Sequence, residues 1–108
     1  MKTKIGYLVD PVEKTVTEVV LSDNYRAIYP LLECDTFDMV TINAEGDGIF
    51  VDDEGLLKEG QSFFQIDGCP SALAGRGLVL GCYEETGESR PRPVISLEDF
   101  TKRVRFEV

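Results

Sequence analysis

The chain has 108 residues, 43% hydrophobic and 29% charged, with 20 Asp and Glu against 11 Lys and Arg for a net charge of −9. That length predicts one domain over 1–108 with one core, and the balance of apolar and charged residues is that of a globule, not of a disordered chain. The charge disfavours direct nucleic-acid binding, and no apolar run has the length of a membrane span. The absence of histidine removes Ser-His-Asp and Cys-His nucleophile activation, His-ligated metals and the usual general base near neutral pH.

The opening MKTKIGYLVD reaches Asp10 before any segment of signal length, so it reads as the first strand of a cytosolic protein. Lys4 to Asp10 and Lys14 to Leu21 predict a hairpin turning through Asp10-Pro11, with Ile5, Tyr7 and Val9 on one face. Ser22 is then a candidate helix cap, with Asp23 favourable against the dipole. Tyr25, Ile28, Tyr29 and Leu32 follow at helical spacing, although Pro30 should kink the helix or stop it at Tyr29. Phe37 to Asn43 and Gly48 to Asp52 predict a second hairpin around Ala44-Glu45-Gly46-Asp47-Gly48. The acids Asp52, Asp53 and Glu54 end it without the spacing of a calcium loop.

After a short connection, Leu56 to Ser62, comes the stretch FFQIDGCPSALAGRGLVLGCY, residues 63–83. It predicts a buried strand, a Gly/Pro corner, a helical turn over Ser71 to Ala74 and a second strand. In that second strand Leu78, Leu80 and Cys82 share one face and Val79, Gly81 and Tyr83 the other. Both faces are apolar or small, which predicts a central strand covered on each side. Gly75 suits a left-handed stop. Gly75-x-Gly77 differs from a dinucleotide fingerprint, because its glycines enter a strand and do not open a helix. Glu84 to Pro93 reads as an exposed, mobile loop carrying Arg90 and Arg92. Ser96 then caps a helix in a capping-box variant, with Leu97, Phe100 and Val104 on one side and Lys102 and Arg103 near its end. Arg105 to Val108 predicts a closing strand. Cys34, Cys69 and Cys82, odd in number and without a CxxC, read as free buried thiols and not as a zinc cage.

These elements sum to an α+β fold, a mostly antiparallel sheet of five to six strands with one central helix and one C-terminal helix packed on it. The charge is uneven: residues 1–75 hold 5 basic and 14 acidic residues, 5 − 14 = −9, whereas 76–108 hold 6 of each. That surplus serves solubility or presents an acidic face to a basic partner.

IYPLLECDTFDMV, IFVDDEGLLK, the strand running into GCPSALAGRGLVLG, and SLEDFTKRVRF together resemble a family of small uncharacterised proteins of bacteriophages, plasmids and their bacterial hosts. Cys69-Pro70 stands where that family often has Asn-Pro. The resemblance implies a mobile-element setting, where small acidic proteins sometimes inhibit host machinery, and it brings no activity with it.

Three functions follow as expectations. The first is a non-catalytic binding or inhibitor protein acting on a basic host protein, its carboxylates mimicking DNA phosphates, with Glu45, Asp47, Asp52, Asp53 and Glu54 as candidate contacts. The second is a small-molecule or nucleotide binder with Tyr25, Tyr29, Asp67, Ser71 and Arg76 around its pocket. The third is an enzyme using carboxylate acid–base pairs. The first is preferred, with no catalytic residues, no cofactor, no metal and no membrane contact expected.

Overall fold

The computed structural model describes residues 2–54, 62–69, 72–82 and 90–106. Along the chain these form β1 (Thr3–Asp10), β2 (Thr15–Ser22), a 3-10 turn (Tyr25–Ala27), α1 (Ile28–Leu32), β3 (Phe37–Thr41) and β4 (Gly48–Asp52). They continue with β5 (Phe63–Ile66), β6 (Leu73–Ala74), β7 (Gly77–Leu80), α2 (Leu97–Arg103) and β8 (Val104–Arg105). Five strands pair in the order β2-β1-β7-β4-β3 and three in the order β6-β5-β8, each neighbouring pair antiparallel. This is the expected α+β architecture, with the strands divided between two sheets.

β7 is the middle strand of the larger sheet, and every residue in it is buried. Alternation sends Val79 to one face, where Tyr7, Val9, Ile49 and Val51 meet Phe64 and Ile66 of β5 and Phe100 of α2. Leu78 and Leu80 point the other way, against Leu21, Ile28 and Leu32. The sheet is therefore covered on one side by α1 and on the other by the small sheet and α2. The layers are in close contact at Gly77: a Cβ there would lie 2.7 Å from both Ile49 Cδ1 and Phe64 Cζ.

Local chemistry explains where the elements depart from expectation. Ser22 belongs to β2, opposite Thr3, and Asn24 caps instead, its side chain accepting from Arg26 N at 3.0 Å. The stripe from Tyr25 to Leu32 is broken before Pro30, not at it: a 3-10 turn gives way to α1 at Ile28. Pro30 then sits in the first turn of α1, where its missing N–H leaves no bond unmade. Ile28 and Leu32 are buried, whereas Tyr25 is 58% exposed. Leu73 and Ala74 are not helical. They pair with Phe64 and Phe63 of β5, because one isolated helical turn is costly to nucleate while the edge of β5 offers main-chain partners. Val104 lies beyond α2, in β8, paired with Ile66.

Ser96 caps α2 as expected, accepting from Asp99 N at 3.1 Å. The connection before it is exposed at Pro91, Arg92 and Val94, as expected, yet its described part, 90–96, is tied down. It is a strap tied to both sheet and turn. Arg90 N donates to Gly81 O at 2.8 Å and Ile5 N to Pro91 O at 2.8 Å. The carboxylate of Asp47 accepts from Val94 N at 2.9 Å and Ile95 N at 2.8 Å. Tyr7 donates its hydroxyl to Ile95 O at 2.8 Å.

Candidate functional site

A cleft of about 380 Å³ opens at one end of the larger sheet, where three turns converge. The first joins β1 to β2. Asp10 Oδ1 accepts from Val12 N at 3.0 Å and Glu13 N at 3.2 Å, Pro11 pre-sets its own backbone angle, and Lys14 closes the turn in the left-handed region at φ 58. The second is the end of α1, where Glu33 is left-handed at φ 54 and donates its N–H back to Tyr29 O. The third is the corner between β6 and β7. Gly75 takes φ 77 there, and its N–H donates to Ser62 O at 2.9 Å.

Arg76 projects from that third turn and ties the other two together. Its guanidinium lies 3.1 Å from Glu33 Oε1 and 3.6 Å from Asp10 Oδ2, and it donates to Leu31 O at 3.5 Å. A cation suits the carbonyl end of a helix. Glu13 and the buried Asp52 also line the cleft, so among the described residues its lining holds four acidic residues and one arginine, of which Glu33 and Asp10 approach the guanidinium. Arg76 therefore only partly offsets the charge, and the lining stays strongly negative.

Asp52 is also a wall of a second depression, a groove of about 180 Å³ between the β3–β4 hairpin and β6. Val40, Val51, Ala72, Leu73 and Ala74 form its apolar sides, and Asp38 and Asp53 stand at it as exposed acids. The groove exists because β6 has two residues and the hairpin strands beneath it have five each, so the cover is shorter than the surface it lies on.

The two sets of residues read from the sequence meet in part. Asp52 from the acidic set and Arg76 from the ligand set line the same cleft. Asp53 and Glu54 are exposed just beyond Asp52, whose Oδ1 accepts from Glu54 N at 2.9 Å. Glu45 is at the far tip of the β3–β4 hairpin, about 16 Å away at 3.3 Å per strand residue. Asp47 offers nothing to a partner: it is 0% exposed, and besides Val94 and Ile95 its carboxylate accepts from Asn43 Nδ2 at 2.8 Å. Among the described residues the carboxylates from Asp35 to Asp67 thus form no single continuous patch.

The ligand set is scattered. Ile28 and Leu32 fill the space between α1 and the sheet, Tyr29 packs on Phe37 with ring centroids 5.0 Å apart, and Tyr25 meets Tyr29 edge-on at 6.3 Å. Asp67 follows β5, at the opposite end of that strand from Ser62 of the cleft, and holds Arg105 Nε at 2.7 Å. That hydrogen bond pushes the Arg105 guanidinium further up. Ser71 lies outside the described residues. The cleft acids Asp10, Glu13 and Glu33 were not singled out from the sequence. Their only signal is that each stands beside a turn former or a helix end, which is a cue for structure and not for a site.

Comparison of the chain with protein-family models, with curated proteins and with solved structures finds no match.

Proposed function

We propose that the protein is a non-catalytic binding protein that engages a basic surface of another protein through the end of the sheet bearing Asp10, Glu13, Glu33 and Asp52. The observation that carries this reading is the four-to-one excess of acidic residues over arginine among the described residues that line one cleft, flanked by the exposed acids Asp53 and Glu54. Such a surface attracts cationic partners over a distance of about one Debye length, ~8–10 Å, and repels phosphate. In the mobile-element setting that the sequence resemblance implies, the partner is a host protein whose basic face normally meets nucleic acid.

Backbone-amide NMR during titration with decalysine at low salt tests the reading. Perturbations should concentrate at residues 10–13, 33 and 52–54. Perturbations spread evenly over every exposed acid, including Glu45, Glu98 and Asp99, would show nonspecific charge attraction and remove the cleft from the account.

A further inference from the structure

The groove between the β3–β4 hairpin and β6 differs in kind from the acidic cleft beside it. Apart from Asp52 its walls are aliphatic, and the acids Asp38 and Asp53 stand at its edge. Val51 is buried and Val40 and Leu73 are half-buried, all three packed with the main core, so these walls are backed by protein and do not depend on the occupant for their shape. In antiparallel pairing, residues opposite one another point to the same side of a sheet, and so do residues two apart. Asp38 is opposite Val51, and Val40 is opposite Ile49. Asp38, Val40 and Val51 therefore share the face that β6 covers, and alternation brings Asp53, two residues beyond Val51, to that side as well. Its N–H donates to Thr36 O at 3.2 Å, which holds the chain beside β3 past the end of the strand.

An aliphatic slot with carboxylates at its mouth has a specific chemical complement. A long side chain can lay its methylenes on apolar walls while its charged end stays at a polar rim. We propose that this groove is a socket for one lysine side chain of the basic partner, its stem against Val40, Val51 and Leu73 and its ammonium between Asp38 and Asp53. Lysine suits the aliphatic walls better than arginine, because it carries four methylenes before a compact ammonium where arginine carries three before a broad planar guanidinium. Asp52 is a wall of both depressions, so a socketed lysine stands directly beside the acidic cleft. The socket adds selection by stem length to an attraction that would otherwise depend on charge alone.

The inference rests on the reading of the chain as a binder of basic protein, and the test separates the two. Three capped peptides are compared by NMR titration, each a glycine-serine background with two cationic residues: lysine, arginine, or diaminopropionate, which has the same ammonium on one methylene. The lysine peptide should perturb Asp38, Val40, Val51 and Leu73 and bind on the order of tenfold more tightly than the short-stemmed peptide, given three more methylenes to bury. Asp38→Asn with Asp53→Asn, both at exposed positions, should lower lysine affinity severalfold while leaving the fold intact. Ala72→Leu should block the groove without changing its charge. Equal binding of lysine and diaminopropionate peptides, with perturbations confined to Asp10, Glu33 and Arg76, overturns the socket and leaves the acidic cleft standing. Tighter binding of arginine than lysine at the same four residues overturns the choice of occupant. No localised perturbation with any peptide overturns both.

Discussion

The carboxylate of Asp47 accepts a hydrogen bond from the main-chain N–H of Val94 at 2.9 Å, joining the β3–β4 turn to a strap 47 residues further along. The same group accepts from Ile95 N and Asn43 Nδ2. It is one of three buried charged residues among those described, and it fixes the entry to α2 by serving main-chain donors that a helix approach would otherwise leave unpaired.

Removing it should be costly. Asp47→Ala leaves Val94 N and Ile95 N without their acceptor and is expected to lower stability by about 2–4 kcal/mol, judged from hydrogen bonds to charged groups and the penalty for orphaned donors. Asp47→Asn should also destabilise, because an amide puts an NH2 donor in place of one of two oxygens that both now accept. Urea denaturation reads both. A loss under about 0.5 kcal/mol for Asp47→Ala would contradict this account of the strap.

Gly81 supports the same strap from the other side. A Cβ there would lie 2.6 Å from Arg92 O and 3.1 Å from Arg92 C, main-chain atoms that cannot rotate away. Gly81→Ala should therefore displace residues 90–92 and cost about 1–3 kcal/mol, the usual range for overpacking. Hydrogen exchange at Arg90 N and Ile5 N, which bond across this junction, should quicken in the variant. Unchanged exchange at both would count against it.

Alkaline pH should weaken the fold through Tyr7 and Cys82. Burial pushes the Tyr7 hydroxyl above its ordinary 10.0, with Arg92 opposing and Glu18 and Asp47 adding to the rise. Burial likewise pushes the Cys82 thiol above its ordinary 9.0. In both the neutral form is favoured in the folded chain. As pH passes 9.0 and then 10.0, the unfolded chain releases protons that the folded chain retains. Fewer protons bound in the unfolded state means stability falling with pH, from about pH 9 upward. Tyr7→Phe should cost about 1 kcal/mol at neutral pH through the lost bond to Ile95 O, and should make the fall above pH 10.0 shallower. An unchanged slope would contradict the assignment to Tyr7.

Arg76 gives a prediction of opposite sign for stability and binding. Its partners Glu33 and Asp10 are in partly exposed pairs, which typically contribute about 0.2–1 kcal/mol, so Arg76→Gln should change stability by no more than about 1 kcal/mol. It should raise affinity for decalysine roughly threefold at low salt, because the cleft loses the one cation among its described lining residues. Weaker binding in this variant would show that the guanidinium takes part in recognition.

Much of the fold was legible because pattern and packing agree. The alternation in Leu78 to Leu80, apolar on both faces, marked the central strand, and Ser96 with Asp99 marked the cap of α2. Leu73 and Ala74 misled because a local turn signal was overridden by a neighbouring strand edge with open hydrogen-bond positions. Pro30 was recognised as a breaker, yet where the helix would restart depended on Ile28 and Leu32 reaching the sheet. The site was less legible still. Asp47 and Asp53 look alike in sequence, and only burial separates a carboxylate consumed by main-chain donors from one left at the surface. The cleft is made by three turns from distant parts of the chain, so no local spacing could announce it.

If excess carboxylates at one end of the sheet, and not net charge as such, bind a basic protein surface, then where the charge lies must matter more than how much there is. The direct measurement is decalysine affinity for the native chain, for Glu13→Lys with Glu33→Lys, and for Glu45→Lys with Glu98→Lys, at roughly 50 and 500 mM salt. The two variants carry the same net charge. The account predicts that binding is lost in the first and largely kept in the second at low salt, and that the native chain releases the peptide at high salt. Equal loss in both variants would contradict it.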